Sequence, residues 1–417
     1  MSIYPENNSD SDGKISRRTF MKYVGAAGAI FTLSSLVPFN KAFAAGTNNT
    51  NATKNTNTTS SSQTSPPKQM GSPHTFNLSA TTPQLSNAGG SRTFANADNF
   101  PILNGWAMSP YLLRLEKGGV REPHWHPNAA ELSYCISGRA TMTIFLGSPN
   151  LVHDTFTIDP GEIVFVPQGY LHEFNNISNE EAKFVLVFNN ERPQTMGISG
   201  AVGSMPNRVM NATFGIKPPS TFFNGFNKNS PNDIVIGSKP ANIVEPASMT
   251  KIPSSYKLNL EGIPPQIQTA GGTVALGNIS NFPILSGLAC YSLILKPNGI
   301  REPHWHPNAA ELDYVLGGRA RMIILSPGGS VDTFEVGPGE VVFIPPAFFH
   351  YIENPDSVNN MHMAIFFGNG SPQDIGISGG LSANSNEVLG ATFDLPPTYF
   401  NNLPRVERDL FVVSGGG

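Results

Sequence analysis

The chain has 417 residues, enough for two or three domains, and its 41 glycines and 36 prolines against 13% charged residues fit a compact fold with many tight turns. The formal net charge is −4, and residues 45–417 alone hold 21 basic against 27 acidic groups. Such a balance leaves no basic surface of the kind that binds nucleic acid, so nucleic acid is excluded as a partner.

Residues 1–44 read as a twin-arginine signal peptide. Arg17, Arg18, Phe20 and Lys22 precede a mild apolar stretch at 23–39, and Ala42-Phe43-Ala44 offers the small residues a signal peptidase prefers. An uncleaved membrane anchor is the alternative. Export by the twin-arginine route would place the protein in the periplasm, at the cell surface or outside the cell. Residues 46–72 are nearly all Asn, Thr, Ser, Gln and Pro, so 45–75 is expected to be a disordered linker. A first domain then spans 76–230, an interdomain linker 231–256 and a second domain 257–417.

Within the first domain, Arg-Glu-Pro-His-Trp-His-Pro-Asn-Ala-Ala-Glu-Leu stands at 121–132, and it recurs letter for letter at 301–312 in the second. Along a strand, side chains alternate, so His124 and His126 project from one face while Trp125 projects from the other. Pro127 and Asn128 break the strand, and Glu131 can return a carboxylate to the same point. His172, about forty residues on, supplies a third imidazole. His304, His306, Glu311 and His350 repeat the set. Nitrogen and oxygen donors of this kind suit manganese, iron, zinc or copper, and the ligands alone do not choose among them. His74, His153 and His362 have no counterparts between the copies and are expected at the surface or in packing. Cys135 and Cys290 are likewise unmatched and are expected as two buried free thiols.

These residues resemble the cupin family. Gly118, His124, His126, Glu131 and Gly138 follow its first motif, and Gly161, Pro167, Gly169, His172 and Asn176 its second. In the second copy the ligands, Gly318, Gly339, Pro345 and Asn354 fit, while Asn298 and Ala347 stand where the motif has glycine. The chain, from near Phe76 to near Phe411, resembles a bicupin of the oxalate decarboxylase type, related to germins and seed storage globulins. The resemblance implies an all-β fold of two tandem jelly-roll β-barrels, each with short C-terminal helices and one metal. The residues support this independently: apolar runs at 141–146, 163–167 and 183–188 are separated by Gly, Pro, Asn and Asp, and only 207–211 and 386–389 look helical.

The resemblance further implies two manganese ions per chain, with iron, zinc or copper not excluded, and a homo-oligomer, trimer or hexamer. It places Arg121 and Arg301 beside the metal as the cations that polarise oxalate or a similar small carboxylate. Simple alternation would turn Arg121 away from His124, so this role requires a bulge, which Pro123 can provide; the alternative is an arginine paired with a carboxylate. Decarboxylases of this type carry a lid glutamate, but here Thr195 falls on its place, and threonine cannot act as a general acid at neutral pH. Asp374 holds the matching position in the second copy. A manganese enzyme, decarboxylase-like or oxidase-like, is favoured over an exported metal-binding or storage protein, and a structural relative of the globulins ranks last.

Overall fold

The computed structural model describes residues 71–147, 152–226, 232–237 and 250–415. The export signal and nearly all of the 45–75 tether lie outside the described residues. Two β-barrels follow one another, each made of two facing sheets, and both belong to one compact unit.

In the first barrel one sheet carries, in order, Lys257–Asn259, Glu162–Val166, Glu131–Ser137, Ala182–Phe188, Ser109–Leu115, Gly90–Phe94 and Leu85–Asn87. The facing sheet carries Met196–Gly197, Gly119–Trp125, Leu171–Asn176, Ala140–Leu146, Val152–Ile158 and Thr250–Lys251, with Ile234–Ile236 added beside Gly119–Trp125. The second barrel repeats the plan. Its ligand sheet holds Val331–Val336, Ala320–Leu325, Phe349–Glu353, Gly299–Trp305 and Ile375–Gly376, with Val412–Ser414 in the place of Ile234–Ile236.

Alternation explains where the core sits. Along Ala182–Phe188, Phe184, Leu186 and Phe188 point into the first barrel, while Val185 and Val187 join a cluster shared with the second. Leu132, Tyr134 and Phe165 meet Leu312, Tyr314 and Phe343 in that shared layer. A sheet buried on both faces has no polar side to show, which is why Glu162–Val166 reads Ile-Val-Phe-Val after its first residue.

The barrels also exchange edge strands. Thr75–Asn77 pairs with Glu340–Ile344 of the second barrel, and Lys257–Asn259 pairs with Glu162–Val166 of the first. Covering an edge in this way removes a row of unpaired backbone groups. Part of the stretch read as an interdomain linker is also built in, as the strand Ile234–Ile236.

The two departures from the glycine pattern keep the backbone they replace. Asn298 has φ 57° where Gly118 has 74°, and Ala347 has φ 63° where Gly169 has 81°. Helices form at Asn207–Thr213 and Asn386–Phe393, over the expected stretches, and each follows a shorter helix, Ile198–Gly203 or Ile377–Ser382. Both cysteines are buried and free. His74 and His153 are buried, and His362 lies 3.1 Å from Glu261.

Candidate metal centres

In both barrels the ligand strand carries a bulge. His124 faces His172 and Arg121 faces Phe174, so three steps on one strand match two on the other. The extra residue at Glu122 and Pro123 turns Arg121 inward, to the side of the histidines, and both ends of the motif are buried. Arg301, His304 and His350 repeat the shift.

The structure brings together His124, His126, Glu131 and His172, and separately His304, His306, Glu311 and His350, with one ligand atom of each within 4.8 Å of the others in its set. All eight are buried. Every imidazole is oriented by a backbone carbonyl. The Nδ1 of His124 donates to Glu122 at 2.7 Å, that of His126 to Gln194 at 2.9 Å and that of His172 to Tyr170 at 2.9 Å. His304, His306 and His350 donate to Glu302, Gln373 and Phe348 at 2.6, 2.7 and 2.8 Å. With Nδ1 engaged, Nε2 is left with its lone pair toward the centre, as a metal-binding histidine requires.

The donor set fits an ion on a further ground. The buried Nε2 of His172 and of His350, and Oε2 of Glu311, have no hydrogen-bond partner within the protein, and buried polar atoms are seldom left so. The protonation states fit too. Burial, aided by Arg121 and Arg301, pushes His124 and His304 well below the usual imidazole range. Burial would raise Glu131, but the adjacent His126 and His172 outweigh it and hold the carboxyl below its ordinary value. Burial would likewise lower His306, but Glu311 and Asp374 raise it. An ion binds neutral imidazoles and a carboxylate, and at the second centre it would displace the proton that Glu311 and Asp374 favour on His306.

Around this common frame the barrels differ. Ser133 donates to Glu131 Oε1 at 2.7 Å, whereas Asp313 stands in its place beside Glu311. Burial and the neighbouring carboxylate push Asp313 well above the usual range. Arg121 pairs with Asp233 at 2.7 Å and donates to the Asp233 carbonyl at 2.9 Å, leaving its buried Nη2 without an acceptor. Arg301 instead pairs with Asp374, donates to the Phe411 carbonyl at 3.1 Å, and lies 3.5 Å over the Phe411 ring. Each arginine therefore has a carboxylate partner as well as a place beside the ligands. Thr195 lies 3.2 Å from His126 Nδ1, at the position Asp374 holds in the second barrel.

Access differs accordingly. A cavity of about 530 Å³ opens beside the first site, which it meets at Arg121 and Thr195, with Arg92, Tyr111 and Asp233 also in its wall. The second site has a pocket of about 10 Å³, closed by Tyr291, Phe367 and Phe411 over His304, His306 and Glu311. Arg92 and Asp233 were not singled out from sequence. The signal for Asp233 was faint: it precedes Ile234–Ile236 just as Phe411 precedes Val412–Ser414.

The family model described as Cupin matches residues 76–221 and 258–398, the two barrels in turn. The chain belongs to the cupin family. Oxalate decarboxylase OxdC of Bacillus subtilis (strain 168) is 31% identical over 284 residues, covering 67% of this cupin and 71% of that protein. A probable oxalate decarboxylase of Arthroderma benhamiae is 28% identical over 294 residues, 68% and 70% of the two chains. Germin-like protein subfamily 3 member 1 of Arabidopsis thaliana is 34% identical over 123 residues, 29% and 58%. A solved structure of the Bacillus subtilis oxalate decarboxylase superposes with a TM-score of 0.73 at 25% identity, covering 84% of this cupin and 91% of that chain. That enzyme is described with Mn(II) centers. The two-barrel architecture read from sequence is thus the observed one, and this cupin is related to oxalate decarboxylases.

Proposed function

We propose that this cupin is an exported, manganese-dependent enzyme that acts on oxalate or a similar small carboxylate in a decarboxylase-like reaction. The observation that carries the reading is the buried arginine set beside a three-histidine, one-carboxylate centre in each barrel. Manganese is favoured over iron, zinc and copper by the Mn(II) centers of the Bacillus subtilis relative and by the twin-arginine leader. A protein exported in folded form can take its metal in the cytoplasm, without free copper competing for the same donors.

Bound manganese would supply a Lewis-acidic, redox-active centre for carboxylate oxygens. The chain supplies the rest. The carbonyl-anchored imidazoles hold the ligand cage rigid. Arg121, buried and carrying an unmet N–H, would polarise a substrate carboxylate in surroundings that strengthen its charge. Burial raises Asp374 despite the opposing charge of Arg301, so the group retains a proton more readily than an exposed aspartate. In the second barrel, beside Arg301, that proton would go to carbon as the carbon–carbon bond of hydrogenoxalate breaks, giving carbon dioxide and formate, while the substrate's own proton returns to Asp374.

A second reading, an oxidase-like outcome with peroxide as product, is favoured at the first site by Thr195, whose hydroxyl is too weak an acid to protonate an intermediate there. In the second barrel a pocket of about 10 Å³ holds about one water, so a substrate enters only if Phe411 moves, and an ion there has a storage or structural role otherwise. Exposed Phe214, Phe222, Phe393 and Tyr399 on the paired helical segments support assembly of a homo-oligomer, trimer or hexamer. Elemental analysis together with an oxalate assay tests the whole reading. About two manganese per chain with formate is the expected result; peroxide would select the oxidase, metal without turnover the binding protein, and absence of metal would sink it.

A further inference from the structure

We propose that the mouth of the first barrel is a subsite for the remote carboxylate of a short organic diacid, held between Arg92 and Arg121. This deepens, and rests on, the reading of that barrel as a small-carboxylate site. Arg92 on Gly90–Phe94 and Arg121 on Gly119–Trp125 both line the cavity of about 530 Å³. Between them lies one carboxylate of the protein itself. Asp233 Oδ2 is 2.9 Å from Arg92 Nη2, and Oδ1 is 2.7 Å from Arg121 Nη1. The two guanidinium groups are therefore spaced to share a single carboxylate, and Asp233 occupies the slot as a resident competitor.

The backbone of Asp233 is pinned independently of its side chain. Its N–H donates to Glu122 Oε1 at 2.9 Å, and its carbonyl accepts from the Glu122 N–H at 2.9 Å. Rotation about Cα–Cβ would free the slot without disturbing the strand that follows. An incoming carboxylate would then inherit both ion-pair contacts.

The second barrel keeps the inner arginine, as Arg301, and lacks the rest of this arrangement. Val274, which faces Leu293 as Arg92 faces Leu113, replaces the outer arginine. Phe411 replaces Asp233, and the pocket shrinks to about 10 Å³. The subsite is thus a feature of one barrel, not a requirement of the shared metal frame.

The ligand class follows from size and spacing. A cavity of this size falls within the range of roughly 300–1,000 Å³ that houses small organic ligands. Oxalate has no spacer between its carboxylates, so a second guanidinium farther out gains nothing from it. A diacid with a methylene spacer can place one carboxylate between the arginines and direct the other past Arg121 toward the centre. Phe94, Tyr111 and Met196 give the cavity apolar wall for that spacer.

Isothermal titration of the full-length, metal-loaded protein with succinate and glutarate tests this. The wild type is expected to bind one diacid per chain, Arg92→Val to bind at least tenfold more weakly, and Asp233→Asn at least fivefold more tightly. Misfolding cannot produce both changes, since they run in opposite directions. Unchanged affinity in Arg92→Val, no tightening in Asp233→Asn, or no binding by either wild type or Asp233→Asn overturns the proposal. Oxalate turnover on the same wild-type sample keeps the parent reading separate. Turnover without diacid binding removes the subsite alone, and diacid binding without turnover removes only the assigned reaction.

Discussion

Substituting Asn128 by alanine should loosen metal in the first barrel although Asn128 touches no ligand. Its Oδ1 accepts the Gln194 N–H at 2.8 Å and its Nδ2 donates to the Arg192 carbonyl at 3.1 Å. Those two bonds fix the loop whose Gln194 carbonyl orients His126 at 2.9 Å. At about 1 kcal/mol net for each hydrogen bond, their loss costs about 2 kcal/mol. If that cost falls on the metal-ready conformation, affinity drops by about 30-fold, inside the 10–100-fold span seen when partners of metal ligands are removed. Asn308 makes the same pair of bonds, to the Gln373 N–H at 2.8 Å and the Ser371 carbonyl at 3.1 Å, so the second barrel serves as an internal control. The assay is metal release to a chelator. Asn128→Ala should release one equivalent about 30-fold faster and the other at the wild-type rate, and Asn308→Ala should reverse the assignment. Two wild-type rates in Asn128→Ala would refute the idea that the loop tension reaches His126.

Three further outcomes are expected. Ala347→Gly should raise stability by about 1 kcal/mol, seen as a higher unfolding midpoint, because Ala347 sits at φ 63° where an L side chain is strained. Glu131→Gln should halve the metal content, since the first centre loses its carboxylate while Glu311 keeps the second; retention of both equivalents would remove Glu131 from the ligand set. Both thiols should resist a disulfide reagent at pH 8 until the chain unfolds. Burial pushes Cys135 up to about 12 and Cys290 well above the usual thiol range, so almost no thiolate is present in the folded protein, and prompt labelling would contradict their placement.

The ligand cage was legible because its chemistry is local. Two histidines one residue apart, a glutamate five residues on and a distant third histidine need only a strand and a turn to converge, and the exact repeat showed the set twice. The bulge was legible as well, since Arg121 could not otherwise join the face of His124. Asn128 was read only as a strand breaker. Its grip on the loop depends on residues about sixty positions away, and a hydrogen bond from a side chain to a remote backbone leaves no pattern in composition or period. Arg92 and Asp233 escaped for a related reason. Each is an ordinary charged residue on a strand or in a connecting stretch until the fold sets both against Arg121. The exchanged strands Thr75–Asn77 and Lys257–Asn259 are too short to announce which barrel they complete.

The divergence of the two mouths follows from where their parts come from. Both ligand strands are built from one unvaried string, so change there would cost the ion. The partners of Arg121 and Arg301 come from later segments, the loop after the last barrel strand and the strap after the helices, and these carry no ligand side chain. The acid sits on the strap in the first barrel, as Asp233, with Thr195 in the loop; it sits in the loop in the second, as Asp374, with Phe411 on the strap. A buried guanidinium needs one counter-charge, and leaving it unpaired costs several kcal/mol, so each barrel keeps one carboxylate and is free in where it places it. Placing it on the strap leaves the loop neutral and the mouth open; placing it in the loop lets an aromatic ring seal the strap side. From one duplicated frame, that single choice yields an open site with its carboxylate on the strap and a closed site with its carboxylate in the loop.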